Sequence, residues 1–257
     1  MEITATIITL NEEENIRDCI LSVQKVCDEV IVVDSLSQDK TVEIAESMGA
    51  TVYKQSYLGD GPQKAFAVPK AKNDWILSID ADERLEPDAI EAIKKLDLHR
   101  SRHGAYALRR RNYVGRHWIK AAGFYPDWVV RLYHREKGGY LPRKAHSRVE
   151  SKNIQRLNVH IEHFTYRDYT HWVERINQLS SRDAWAKYQK GKKVTRLTPA
   201  LHATGALIRK LIFKGGIFQG QDGITVAVTT AFHAYMKYLK LLELYEKQLK
   251  QENSDEI

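Results

Sequence analysis

The sequence predicts an α/β fold: a doubly wound, mostly parallel sheet followed by a helical, amphipathic C-terminal region. Three observations lead to this. Strand-like and helix-like segments alternate from residue 3 onward, the run 75–79 is apolar without helical spacing and stops at two carboxylates, and beyond residue 166 the apolar residues switch to helical spacing. Repeated βα units place helices over both faces of a parallel sheet, so its strands read as nearly continuous apolar runs. The expected division is a sheet domain over residues 1–165 and a helical region over 166–257.

Residues 3–10 are β-branched and apolar, and Asn11-Glu12-Glu13-Glu14 follows as a helix start with acids in its first turn. Ile16, Cys19, Ile20, Val23 and Val26 recur at helical spacing, and residues 30–33 form the next buried strand, ending at Asp34. A polar loop leads to a helix over 41–48 that Gly49 stops, then a strand over 51–53. Pro62 opens a further helix, and Pro87 another behind the central strand. A strand is expected over 128–133. In the C-terminal region Trp172, Ile176 and Leu179 share one helix face, and residues 201–213 form an apolar stretch whose charges are all basic, which reads as an amphipathic helix lying on an anionic membrane or as a helix packed on the sheet domain; a last helix covers 226–250.

The central strand, Trp-Ile-Leu-Ser-Ile, ends at Asp80-Ala81-Asp82-Glu83. Residues two apart on a strand point the same way, so Asp80 and Asp82 converge if extended geometry persists to Asp82. Paired carboxylates repel unless a cation lies between them, and hard oxygen ligands suit Mg²⁺ or Mn²⁺. An acidic turn before the helix at Pro87 explains the same residues without a metal. In open α/β sheets ligands bind beyond the carboxyl ends of the strands. Here those ends carry Thr9, Asn11 and Glu12, then Asp34, then Asp80 and Asp82, all on one rim.

Composition bounds the function. A chain of 257 residues with 43% hydrophobic content buries a sizeable core. No export signal opens it, and no run reaches the roughly 18 apolar residues of a membrane span, so a cytoplasmic protein is expected. Cys19 and Cys27 read as buried or free thiols. The net charge of +7 is unevenly spread: residues 98–126 and 184–221 contain no acid at all. Two such blocks suggest an anionic partner. Nucleic acid is not expected, since no recognition motif accompanies them.

T-L-N-E-E-E-N-I at 9–16, V-I-V-V-D-S-L-S-Q-D-K-T at 30–41 and W-I-L-S-I-D-A-D-E at 75–83 resemble the nucleotide-sugar half of glycosyltransferase family 2, inverting enzymes of GT-A fold. G-F-Y-P-D-W-V-V-R-L-Y at 123–133, K-A-H-S-R-V-E at 144–150 and Q-D-G-I-T-V-A-V at 221–228 are similar to a narrower branch, the lipopolysaccharide inner-core β-1,4-glucosyltransferases. The resemblance implies transfer of a hexose, glucose from a UDP-linked donor, to a lipid-anchored phosphorylated oligosaccharide. It assigns Thr9, Asn11, Glu12 and Asp34 to the nucleotide, Asp80 and Asp82 to the ribose and a diphosphate-bound metal, and Lys64 to the nucleotide's vicinity, where a solvated helix lysine is the plainer reading. The implied partners are the nucleotide sugar, the lipid-anchored acceptor and an anionic membrane surface, with the protein peripheral on the cytoplasmic face of the inner membrane.

Inversion requires a general base for the acceptor hydroxyl. The family places an acid there, followed shortly by an arginine, which matches Asp127 and Arg131. His146 and Glu150 are rivals for the base, or contacts for the acceptor or diphosphate; relatives often carry His-Glu where this chain has His146-Ser147. His160 and His163 read as structural histidines. A haloacid-dehalogenase-like phosphatase also places Asp-x-Asp after an apolar strand, but on its first strand, and no G-x-G-x-x-G serves a nicotinamide cofactor. A non-catalytic sugar-nucleotide-binding protein is the remaining alternative.

Overall fold

The computed structural model describes residues 2–141 and 148–255, the last seven by backbone alone. It divides into two compact units, Met1–Asn112 with Pro126–Thr165, and Tyr113–Tyr125 with Tyr166–Ile257. The second unit thus takes in residues 113–125 besides the helices.

The first unit runs β1 (Ile3–Thr9), α1 (Ile16–Val23), β2 (Glu29–Asp34), α2 (Thr41–Ser47), β3 (Thr51–Lys54), α3 (Asp60–Ala67), β4 (Trp75–Asp80), β5 (Glu83–Leu85) and α4 (Pro87–Lys94). Then come β6 (Ala105–Val114), the short β7 (His117–Trp118), which with the end of β6 falls in the second unit, β8 (Asp127–His134), β9 (Gly138–Tyr140), β10 (Val149–Ser151) and β11 (Ile154–Tyr166). The main sheet has the order β3-β2-β1-β4-β8-β6-β11-β5, with β7 beside β6, while β9 and β10 form a separate ribbon. The α/β expectation holds. Strands β3, β2, β1 and β4 are parallel, and β8 joins β4 antiparallel.

Alternation along each strand sorts the core onto two faces. Ile3, Ala5, Ile7, Val30, Val32, Leu77 and Ile79 pack under α1 and α4, whereas Ile31, Val33, Ile76 and Tyr133 pack with Ala67 and Phe66 of α3. Asp80 has the parity of Ile76 and so belongs to the α3 face. Register aligns the rim: Thr9 pairs with Asp34 and Ile8 with Asp80. Cys19 and Cys27 are free thiols, and burial pushes both thiols above their ordinary range.

In the second unit α5 (Tyr169–Gln189) starts at Asp168, whose carboxylate accepts the amide of His171 at 2.7 Å. α6 (Thr198–Ile208) passes into a π-helical turn at Arg209–Phe213, then a short 3₁₀ turn at Gly216–Phe218, then α7 (Gly220–Asp255). Two expectations are corrected here. The stretch 201–213 is not one regular helix, and the last helix begins at Gly220 rather than residue 226, because Gly215 (φ 65°) and Gly220 (φ 61°) supply the left-handed backbone that breaks the chain on either side of the 3₁₀ turn. Trp172, Ile176 and Val226 form this unit's core with Ile119, Ala122 and Phe124 of the 113–125 segment. No helix among the described residues is long and apolar enough to cross a membrane.

Candidate active site

β4 stops at Asp80, and Ala81-Asp82 form a turn into β5. A turn therefore presents the two aspartates, not one strand face, and each meets a different partner set. On the α3 side, Asp80 Oδ1 lies 2.8 Å from Lys64 Nζ and Oδ2 lies 2.7 Å from an Arg131 guanidinium nitrogen. That same nitrogen donates to Glu83 Oε1, while Glu83 Oε2 accepts the amide of Asp80 at 3.2 Å. Glu83 is fully buried, Arg131 is 4% exposed and Lys64 is 5% exposed. Lys64 is thus no solvated helix lysine.

Buried charges persist only when paired. Burial pushes the Asp80 carboxyl up, but Lys64 and Arg131 outweigh it and hold the group far below the ordinary carboxylate range. Burial likewise pulls Lys64 and Arg131 down, and facing carboxylates, Asp80 for Lys64 and Glu83 with Asp80 for Arg131, reverse the effect and raise both.

Asp127 opens β8 opposite Arg110 of β6. Its Oδ2 accepts from Arg110 Nε at 2.9 Å and from Asn112 Nδ2 at 3.3 Å, while Arg110 also reaches Glu83 Oε1 at 3.2 Å. Arg110 and Asn112 share a strand face by alternation; Arg111, on the opposite face, pairs with Glu86 at 2.7 Å. Part of the first acid-free block is therefore internal counter-charge.

Asn112 extends the network. Because its amide nitrogen donates to Asp127, its Oδ1, 2.7 Å from His163 Nδ1, accepts the imidazole N–H. His163 Nε2 then faces Asp82 Oδ2 at 3.2 Å. A lone pair held against a carboxylate oxygen calls for a proton or a cation. Neighbouring ligands of an octahedral Mg²⁺ with bonds of about 2.1 Å stand about 3 Å apart, so this oxygen–nitrogen pair fits a divalent ion. His163, expected from sequence to be structural, thus lies in contact with both Asp82 and Asn112. It was legible as one face of a strand, since His163 and Thr165 alternate in β11, but its partners Asn112 and Asp82 are distant in sequence.

The remaining rim is cross-tied. Asp34 is fully buried and its carboxylate accepts from both the backbone and the hydroxyl of Ser37. Asn11, at φ 54°, donates its amide to Ser37 Oγ at 2.9 Å and accepts from the amide of Gln38 at 2.8 Å. The Glu12 amide donates to Thr41 Oγ1 at 2.8 Å. Thr9 Oγ1 is buried without a hydrogen-bond partner among the described residues. Glu150 lies apart on the β9–β10 ribbon, exposed, with an ion pair to Arg148 at 4.0 Å. His146 falls outside the described residues. His160 Nδ1 lies 2.6 Å from Asp88, tying β11 to α4. With Glu86 these two form a compact group of potential metal donors, but Arg111 already neutralises Glu86.

A family model described as Glycosyl transferase family 2 matches residues 4–164. The chain belongs to glycosyl transferase family 2. The phosphatase and nicotinamide readings fall with that, and the chain is a transferase. An uncharacterized glycosyltransferase of Rickettsia bellii (strain RML369-C) is 32% identical over 249 residues, 92% of this chain and 84% of the relative. The lipopolysaccharide core biosynthesis glycosyltransferase LpsC of Rhizobium meliloti (strain 1021) is 27% identical over 250 residues, 92% of this chain and 90% of the relative. Among solved structures, the mannosyltransferase PcManGT from Pyrobaculum calidifontis, in complex with GDP-Man and Mn²⁺, superposes with a TM-score of 0.54 at 16% identity, covering 94% of this chain and 87% of that one. The likeness supports the GT-A-type α/β fold of this family 2 glycosyltransferase.

Proposed function

We propose that this glycosyltransferase moves a hexose, glucose from a UDP-linked donor, with inversion onto a lipid-anchored, phosphorylated oligosaccharide of the lipopolysaccharide inner-core type. The observation that supports it best is the pairing of two carboxylate sites through one network: Asp82 with His163, and Asp127 with Arg110 and Asn112, joined by the His163–Asn112 contact. Attack with inversion needs a base on the acceptor side and charge stabilisation on the leaving-group side. The network supplies one carboxylate for each. The name of the Rhizobium relative points to the acceptor class.

Asp127 is the base. Its Oδ2 is held by Arg110 and Asn112, which leaves Oδ1 for the acceptor hydroxyl proton as the sugar–oxygen bond forms and the nucleoside diphosphate departs. Asp82, with His163 and with Asp80 at the end of β4, would hold Mg²⁺ or Mn²⁺, which would supply Lewis-acid stabilisation of negative charge on the departing diphosphate. Thr9, Asn11, Glu12 and Asp34 form the nucleotide end of the rim, and the unpartnered Thr9 hydroxyl gains a hydrogen bond there. Lys64 and Arg131 act by keeping Asp80 ionised. The test is a donor screen: purified protein with Mn²⁺ or Mg²⁺, a panel of nucleotide sugars, and detection of released nucleoside diphosphate. Release above background with UDP-glucose supports the reading, and turnover of only another sugar nucleotide reassigns the donor.

A further inference from the structure

The second unit carries a feature that the sugar chemistry does not use. Around the chain reversal at 209–218, four large apolar side chains stand in water: Phe218 is 90% exposed, Phe213 79%, Ile212 64% and Ile217 58%. Isolated exposed apolar residues are ordinary, but four bulky ones within seven residues are not. This tip is not a slack loop. Gly216 sits so close to its surroundings that a Cβ there would lie 2.7 Å from the carbonyl oxygen of Lys210, and a Cβ on Gly223 would lie 1.9 Å from the carbonyl oxygen of Gly216. The backbone of Ala122 clasps the reversal from the other side. Its carbonyl accepts the Lys210 ammonium at 2.7 Å, and its amide donates to Gln219 Oε1 at 2.6 Å. Packing therefore fixes the tip and holds the aromatic side chains outward.

The charge along this stretch of chain has one sign. Residues 184–221 contain no Asp or Glu, and Arg209 and Lys214 flank the apolar residues with exposed side chains. We propose that the tip at 209–218 inserts into an anionic lipid surface, with Phe213, Phe218, Ile212 and Ile217 in the acyl boundary and Arg209 and Lys214 at the headgroups. An exposed apolar tip flanked by cations matches a fluid hydrocarbon boundary beneath anionic headgroups, which interfacial elements enter to a depth of about 5–10 Å. Lys210 is excluded from the lipid-facing set because its ammonium is spent on Ala122, where burial and the nearby Arg209 and Lys214 lower its pKa.

The test is flotation of the full chain, without any donor sugar, on vesicles of phosphatidylcholine alone and of phosphatidylcholine mixed with phosphatidylglycerol. Wild type is expected to float with the anionic vesicles only, and less in high salt. Phe213→Ser with Phe218→Ser should lower partitioning by about tenfold or more, since each phenyl group withdrawn from an apolar environment is worth at least that. Arg209→Glu with Lys214→Glu should abolish the preference for anionic lipid. Unchanged melting temperature in each variant separates lost docking from lost folding, and unchanged nucleoside diphosphate release in solution keeps the result independent of the catalytic assignment. Wild type that floats with neither vesicle, or a double Phe variant that floats as wild type does, overturns the proposal. So does a concentration-dependent dimer that the Phe variant dissolves, since a second copy would then cover the tip.

Discussion

Arg110 places two guanidinium nitrogens on one oxygen of Asp127, Nε at 2.9 Å and a terminal nitrogen at 2.8 Å, and the other oxygen accepts no hydrogen bond from the described residues. The β6–β8 register sets the pair opposite each other, so the orientation of the carboxylate is a property of the sheet rather than of a loop. As the proposed base, Asp127 is fixed through one oxygen and presents the other to an incoming hydroxyl.

Asp127→Asn keeps the hydrogen bonds that position the side chain but removes its basicity. Donor affinity should stay within a few-fold, and turnover should fall about 10²–10⁴-fold. Glu150→Gln, on the separate ribbon, should leave turnover near wild type. Steady-state kinetics alongside donor titration check both, and a larger loss for Glu150→Gln than for Asp127→Asn moves the base to that residue.

The metal assignment gives a second expectation. Asp82→Ala removes one donor of the Asp82–His163 pair, so Mn²⁺ should no longer increase affinity for the nucleotide sugar, while metal-free affinity stays as in wild type. Calorimetric titration with and without Mn²⁺ reads this directly. A Mn²⁺ effect that survives in the variant places the ion elsewhere.

The parallel strands, the rim and the acidic turn were legible because each rests on local pattern: period-two burial, a proline or glycine at an element end, acids after an apolar run. The partners of those acids were not. Glu83 reads as an acid behind the pair, yet it is the fully buried anchor for Arg110 and Arg131, which arrive from β6 and β8. Arg110, Asn112 and His163 have no motif around them and gain meaning only when antiparallel strands far apart in sequence come into register. The C-terminal apolar stretch was readable as apolar and basic, but its break into a π turn and a 3₁₀ turn depends on close backbone packing at Gly216 and Gly223 that spacing does not encode.

His163 offers a check on the link between the two carboxylate sites. His163→Ala removes the contact to Asp82 and frees Asn112, so Mn²⁺ affinity should fall by about 10–100-fold, the usual loss when a group orienting or completing a metal site is deleted. Titration of Mn²⁺ in the presence of UDP, followed by calorimetry, measures it. Metal affinity equal to wild type would confine His163 to orienting Asn112.

The buried cations make a prediction about stability and its pH dependence. Asp80 has a depressed pKa when folded, so its contribution is present above its unfolded value of about 3.9 and is lost as pH falls toward the folded value. Lys64 has a raised pKa, so its contribution is complete below its unfolded value of about 10.4 and is lost only as pH rises beyond that. Between those limits the pair should stabilise the fold by a constant amount. Lys64→Met leaves Asp80 with Arg131 alone in a buried setting, and loss of one partner from such a pair costs about 3 kcal/mol. Asp80 in the variant returns toward its ordinary range, so it loses less stability on acidification than wild type does. The gap between the two proteins should therefore hold steady through neutral pH and narrow below about pH 4. Urea unfolding across that range tests this, and a gap that is absent at neutral pH, or that widens in acid, would show that Lys64 does not hold Asp80 in its ionised form.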